Sequence, residues 1–385
     1  MKNKNLKLSV CVLVAFLLFG VSFGTIHTST AWALDADIKF RASVLIEAET
    51  GKILEEKDSH KHYPIASVTK LMTILLTLEK LEAGELNLTD KIIVSENASG
   101  MGGSQIFLDA NKEYEIGELL KSVIVASAND SSVALAEHIA GSENNFVRMM
   151  NNKANELGMV DTNYVNCTGL PVPNAYSCAY DQAILLNKVL DYDEYHLYSS
   201  VWNEEFKHPD GRTTQMTNTN KLSRYYEGCI GGKTGSTNEA KYCLAVGAKR
   251  NNLKLIAVVL GVETSKDRFK LASDMLNFGF ENYKSVVLFS NKNLEDKTIK
   301  IKGQNREAKL VAETEFCYVC KNDEKVNYSL NYNLPNMLTK VKANEVVGNV
   351  EVVVDGIVVK TINILSKDSF NEASVWDYFK EIINN

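Results

Sequence analysis

Two hairpin patterns bracket a long helical stretch, and that arrangement restricts the fold of this chain more than anything else in it. Residues 41–57 alternate as a hairpin, with Val44, Ile46, Ile53 and Leu54 apolar and Thr50-Gly51 at the turn. Residues 242–249 and 253–262 form the second, joined around Arg250-Asn251-Asn252. Between them the period changes. Over 68–81 the apolar residues Leu71, Ile74, Leu75, Leu78 and Leu81 recur at three and four, which predicts a helix with Ser67 at its start. Similar patterns recur at 116–125, 131–139, 146–157 and 181–190, and at 267–278 after the second hairpin. Strands at both ends of a helical middle predict one α+β domain whose sheet brings the ends of the segment together.

After residue 283 the texture turns to short β-rich runs at 286–289, 298–301, 310–319, 326–330 and 350–364, the last with Asp355-Gly356 at a turn. These predict a separate small all-β domain over 284–367. In the tail, 368–385, Val375, Trp376, Phe379, Ile382 and Ile383 fall along one helical face. Such a face could lie in a membrane surface, but Asp368, Glu372, Asp377 and Glu381 outnumber Lys380 and would be repelled by anionic lipid. A helix docked on the β domain or a frayed end fits the same residues.

Residues 1–33 have the composition of an export signal: Lys2, Lys4 and Lys7, an apolar run over 8–23, then Ala31-Trp32-Ala33 as a small-x-small cleavage site. The run is near the lower length for a spanning helix, so a retained anchor is the alternative. Without the three signal lysines, 39 basic residues face 48 acidic ones, which is not the balance of a nucleic-acid binder. Six cysteines remain after Cys11: Cys167, Cys178, Cys229, Cys243, Cys317 and Cys320. Export permits disulfides, but a chain of this length can bury a sufficient core without them. Cys317-x-x-Cys320 lies in an alternating strand pattern with no second such pair, so strand thiols are expected rather than a redox or metal site.

Within the first domain three short motifs carry the chemistry. Ser67-Val68-Thr69-Lys70 is the chain's S-x-x-K, Ser127-Ala128-Asn129 an S-x-N, and Lys233-Thr234-Gly235 its K-T-G. S-x-N recurs elsewhere, for instance at Ser95, Ser142 and Ser236, so order, spacing and context carry the weight. A serine at a helix start with a lysine one turn on can share a proton. Lys70 can act as a base only with a depressed pKa, which burial and a second cation such as Lys233 would supply. Ile65-Ala66 before and Leu71-Met72 after place Lys70 in an apolar run, which argues against a solvated lysine. Ser127 and Asn129 fall between two helical patterns, where a loop can project polar groups into a cleft; Asn129 or Asp130 could equally cap the second helix. Lys233 to Gly235 opens or edges a strand. There Lys233 and Thr234 make a carboxylate pocket, Gly235 admits a ligand backbone, and the N–H of Ser236 can pair with that of Ser67 as an oxyanion hole. Gly228-x-x-x-Gly232-Lys233-Thr234 is one residue short of a phosphate loop, and an exported chain meets no ATP pool. There is no H-E-x-x-H or G-x-S-x-G, and His60, His62, His138, His196 and His208 have no zinc spacing. The expectation is therefore a site with neither metal nor cofactor, with His60 and His62 solvated beside the loop before Ser67.

The residues resemble the D-alanyl-D-alanine carboxypeptidases of the low-molecular-weight penicillin-binding proteins, serine peptidase family S11. The resemblance includes 66–73 (ASVTKLMT), Met101-Gly102-Gly103-Ser104-Gln105, 127–141 (SANDSSVALAEHIAG), Asn166-x-x-Gly169-Leu170, Asn218-Thr219-Asn220 and 233–237 (KTGST). It implies a β-lactamase/transpeptidase-like domain over 34–283, an antiparallel sheet with helices, followed by the family's small C-terminal β domain. It implies attack by Ser67 on the bond between the terminal D-alanines of a peptidoglycan stem peptide outside the cytoplasmic membrane. Lys70 would take the proton, Ser127 would deliver one to the leaving D-alanine, Asn129 would bind the substrate amide, and Lys233 and Thr234 its carboxylate. β-Lactams would acylate Ser67 as mimics. Two departures stand out: Cys167-Thr168 where proline-histidine is frequent, and Cys178 where threonine is usual.

A β-lactamase would need a second carboxylate base, and no acidic residue has that context. A penicillin sensor would need a membrane-crossing segment after the signal, and none is present. An endopeptidase differs by groove shape rather than by motif and stays open.

Overall fold

A five-stranded antiparallel sheet forms from the two bracketing hairpins and one further strand. Its members are β1 (Ala42–Glu47), β2 (Ile53–Lys57), β3 (Cys229–Thr237), β4 (Lys241–Arg250) and β5 (Leu253–Val262), in the order β2-β1-β5-β4-β3. The first strand pairs with the last, Val44 opposite Val258. That closes the long helical segment as the alternation predicts. β1 is buried along its whole length and β5 at every residue but Lys254, so both faces of the central strands are covered. The computed structural model describes residues 37–377; the signal segment read at 1–33 and the tail from 378 lie outside the described residues.

The main helices are α1 (Lys70–Glu82), α2 (Ile116–Val125), α3 (Asn129–Ala140), α4 (Glu143–Glu156), α5 (Ala179–Val189) and α6 (Ser265–Asn282). α5 and α6 pack on β5, while α1 packs against α2, α3, α4 and α5. α1 is buried continuously from Lys70 to Leu78, Thr73 and Thr77 included. A helix enclosed on every side takes any residue of its first turn into the interior. A single 3-10 turn, Ala66–Thr69, feeds it.

Some elements were not legible as periodicity: the strand pair Lys91–Ile93 with Glu113–Glu115, the helix Asp193–Ser199, and the hairpin Asn203–Lys207 with Thr213–Thr217. They are short, polar or half-exposed, so no apolar pattern marks them. Lys233 lies in the middle of β3 rather than at its opening, and β3 is an edge strand.

α6 runs without a linker into β6 (Tyr283–Phe289). The remaining strands are β7 (Thr298–Ile301), β8 (Glu307–Ala312), β9 (Phe316–Lys321), β10 (Tyr328–Asn333), β11 (Met337–Leu338), β12 (Val346–Val354) and β13 (Ile357–Ser366). β6 pairs with β9, and the other six form a sheet in the order β10-β12-β13-β8-β7-β11. The run read as one strand over 310–319 divides between the two sheets, because the exposed Glu313-Thr314-Glu315 interrupts it. This β-rich part has its own core, including Phe289, Ile299, Val350 and Ile364. It meets the first domain where Cys317 N donates to Glu49 Oε1 at 3.3 Å and Lys52 Nζ donates to the Val319 carbonyl at 3.4 Å. The six described cysteines are free thiols.

Gly169 is the tightest glycine of the fold. It has φ +77, and a Cβ there would lie 2.0 Å from the carbonyl oxygen of Ala66. Gly169→Ala is expected to lower stability by about 2–5 kcal/mol, from left-handed strain plus overpacking. Urea unfolding reads this as a fall in midpoint; an unchanged midpoint would refute the packing described.

Candidate active site

Ser67 is the second residue of the 3-10 turn, and Lys70 opens α1 directly behind it. Lys70 Nζ donates to Ser67 Oγ at 3.0 Å and to the Thr168 carbonyl at 2.7 Å. Lys70 has no exposed surface. Burial penalises its ammonium form and brings its pKa down to about 7, against weaker upward pulls from Cys167 and Asp130. The preceding Ala66 has φ 48, a left-handed conformation that costs an alanine about 1–2 kcal/mol.

A second serine–lysine pair faces the first. Ser127 sits in the bend between α2 and α3, buried, with φ 62. Lys233 reaches from β3 and donates to Ser127 Oγ at 2.7 Å and to the Thr234 carbonyl at 3.1 Å. Its pKa is held well below the ordinary lysine range, first by burial and then by the neighbouring charges of Lys70 and Arg268. From the sequence, Lys233 was expected to help depress Lys70; in the fold, burial is the chief cause for both amines.

Asn129 and Asp130 are not caps. Asn129 is the first residue of α3 and donates Nδ2 to the Gly102 carbonyl at 2.6 Å. Its Oδ1 is buried and has no partner among the described residues, which leaves an acceptor for a ligand N–H. Asp130 accepts from the amides of Ile106, Leu108 and Ser131, tying the 101–108 segment to the base of α3. On the opposite side Asn166 Oδ1 accepts from the amides of Thr168 and Gly169, and Thr73 Oγ1 donates to the Cys167 carbonyl. These bonds aim the Thr168 carbonyl at Lys70.

Gly235 lets β3 pass the start of the 3-10 turn. A Cβ there would meet the Ile65 carbonyl oxygen at 2.6 Å and Ser67 N at 3.0 Å. Ser236, one residue on, is exposed, while Thr234 is buried. Arg268 is a site residue that sequence reasoning missed. From α6 it donates Nη1 to the carbonyls of Gly235 and Cys243, and burial brings its pKa down to about 10. An arginine in the first turn of a helix opposes the helix dipole, and that was the one available signal. Beside the turn opens a recess of about 400 Å³, lined by Ile65, Thr69, Asn166, Leu170, Tyr176 and Glu239 among others.

A half-buried serine on a buried lysine, a second serine–lysine pair at an edge strand and an unpaired amide oxygen are the groups that acyl transfer requires. The D-alanyl-D-alanine carboxypeptidase family profile matches residues 28–264. The chain belongs to the D-alanyl-D-alanine carboxypeptidase family. The profile of the Penicillin-binding protein 5, C-terminal domain matches residues 283–372, the β-rich part. The D-alanyl-D-alanine carboxypeptidase DacF of Bacillus subtilis is 40% identical over 74% of this chain and 74% of its own length. DacC of Escherichia coli is 29% identical over 94% and 92%. Penicillin binding protein 5 from Haemophilus influenzae, a solved structure at 28% identity, superposes with a TM-score of 0.70 over 88% of this chain and 99% of its own.

Asp130→Asn puts an NH2 group among amide donors. In this carboxypeptidase it is expected to lower stability by about 2 kcal/mol. It is also expected to slow the labelling of Ser67 by a fluorescent penicillin, because the segment holding Asn129 loosens. Stopped labelling kinetics and urea unfolding measure the two effects; wild-type values in both would refute the role given to Asp130.

Proposed function

We propose that the protein removes the terminal D-alanine from peptidoglycan stem peptides ending in D-Ala-D-Ala, through an acyl-enzyme on Ser67, and that penicillins acylate the same hydroxyl. The observation that carries the reading is the buried Lys70 amine, 3.0 Å from Ser67 Oγ with a pKa near 7, which can be neutral when the reaction begins. Ser67 Oγ attacks the carbonyl carbon between the two D-alanines as its proton passes to Lys70. The N–H groups of Ser67 and Ser236 stabilise the oxyanion. The C–N bond breaks as the proton held by Lys70 is relayed through the Ser127 hydroxyl, which Lys233 holds, to the nitrogen of the leaving D-alanine, and Lys70 is neutral again. Lys233 and Thr234 hold the terminal carboxylate before it departs, with Arg268 behind Gly235, and Asn129 Oδ1 accepts from the substrate amide. Water then attacks the ester carbon as its proton passes to Lys70, the bond from that carbon to Ser67 Oγ breaks, and Lys70 returns the proton to Oγ, which regenerates Ser67. Serine and lysine supply nucleophile and base, so these steps call on no cofactor.

The working division of the chain is a signal at 1–33, the catalytic domain at 34–283, the β domain at 284–367 and the tail at 368–385. On this reading the protein is exported and acts in the cell wall or at the outer face of the cytoplasmic membrane. Among the described residues no helix is long and apolar enough to cross a membrane.

The test is D-alanine release from a pentapeptide ending in D-Ala-D-Ala, with fluorescent penicillin labelling alongside. Ser67→Ala is expected to abolish labelling and to cut release at least about 1,000-fold. A wild type that takes the label but releases no D-alanine would overturn the carboxypeptidase reading in favour of an endopeptidase or a sensor.

A further inference from the structure

The steps above leave unused a cluster of donors at the entrance to the Ser67 turn. Sequence spacing predicts solvated histidines at 60 and 62 and no metal ligands, but the fold brings partners to them from about a hundred residues downstream. His60 Nδ1 lies 3.1 Å from Asp161 Oδ2, and His62 Nε2 lies 3.0 Å from Oδ1 of the same carboxylate. Cys178 lies buried beside them, and donor atoms of His60, Asp161 and Cys178 all fall within 4.8 Å of one another.

We propose that His60, Asp161 and Cys178 form a zinc site that clips the segment leading to Ser67 onto the segment that carries Thr168. An imidazole, a carboxylate and a thiolate are donors that suit Zn²⁺, with bonds of about 2.0–2.3 Å and water in the fourth position. Such bonds put ligand atoms about 3.3–3.8 Å apart, so the His60–Asp161 pair opens slightly from 3.1 Å and any separation near 4.8 Å closes by about an ångström. Binding through His60 Nδ1 leaves the imidazole proton on Nε2, and the Cys178 thiol proton is released to solvent.

The surroundings favour the ion. Tyr180 packs on the His60 ring at 4.8 Å between centroids, and Tyr176 stacks on His62 at 4.3 Å. These contacts hold the imidazoles in place. His62 orients Asp161 from the outer carboxylate oxygen, the usual position of a supporting group. Asp181 adds a second carboxylate, accepting from Asp161 N at 2.9 Å while its own N–H donates to Cys178 Sγ at 3.3 Å. The two segments already meet where Tyr63 and Ser177 exchange backbone hydrogen bonds, at 2.8 and 3.0 Å. A metal would add a further tie to these, next to the wall that directs the Thr168 carbonyl to Lys70.

The test titrates the purified protein with Zn²⁺ alone, and with Co²⁺ as a spectroscopic probe. Expected are one ion per chain, a sulfur-to-cobalt charge-transfer band in the near-ultraviolet, and a melting temperature that rises with zinc. Cys178→Ser should lose the band. His60→Ala, at a side chain 55% exposed, should keep the zinc-free melting temperature and lose the zinc-dependent rise. His62→Ala should weaken binding about 10–100-fold. The proposal is overturned if zinc does not bind at micromolar protein, if bound cobalt has no sulfur band, or if His60→Ala binds as wild type. Should Cys178→Ser fail to fold, the wild-type band and the two exposed histidine variants still decide the matter.

Discussion

Everything in the catalytic half depends on one unfavourable burial, that of the Lys70 amine in the first turn of the central helix. Moving its pKa from 10.5 to about 7 corresponds to about 5 kcal/mol against the ammonium form. The fold carries this cost because α1 is enclosed on all sides and Lys70 has no exposed surface. The Thr168 carbonyl receives the amine, and Ser67 Oγ is its other neighbour. The same burial that favours a neutral amine therefore also leaves it beside the serine proposed as nucleophile.

Around that lysine, three polar anchors take the place of apolar packing. Asp130 fixes the 101–108 segment, Asn166 fixes the turn that carries Thr168, and Arg268 fixes the edge strand from behind. Each saturates backbone groups that would otherwise be stranded in a dry cleft. Two residues in left-handed backbone lie in the same place, Ala66 beside Ser67 and Ser127 at the second serine–lysine pair. Glycines at 169 and 235 make room for these turns.

The helices and the two hairpins were legible because their apolar residues repeat with a period. Helix 116–125 was read to the residue, and α1 within two residues of its start. The three motifs were legible because type, order and spacing coincide. Other features were silent for physical reasons. Asp130 looked like a helix cap because its amide partners are loop backbone with no sequence signature. Arg268 acts on carbonyls, which every residue has. His60 and His62 looked solvated because their partner Asp161 comes from a distant loop, which backbone bonds such as the Tyr63–Ser177 bridge bring near. The run at 310–319 was over-extended because its alternation survives across a polar break.

Neutral Lys70 is the central claim, and its sign with pH is determined. The unfolded chain holds a proton on this lysine that the folded chain gives up between about pH 7 and 10.5, so stability linked to Lys70 rises with pH across that window. Reactivity should depend on the same titration. The most direct measurement is the pH dependence of the second-order rate of Ser67 acylation by a penicillin. The account predicts a rate that climbs about tenfold per unit at acid pH, bends near 7 and levels above it. A rate that keeps climbing past about pH 9, as an ordinary lysine base would give, or one that is flat through neutrality, would contradict it.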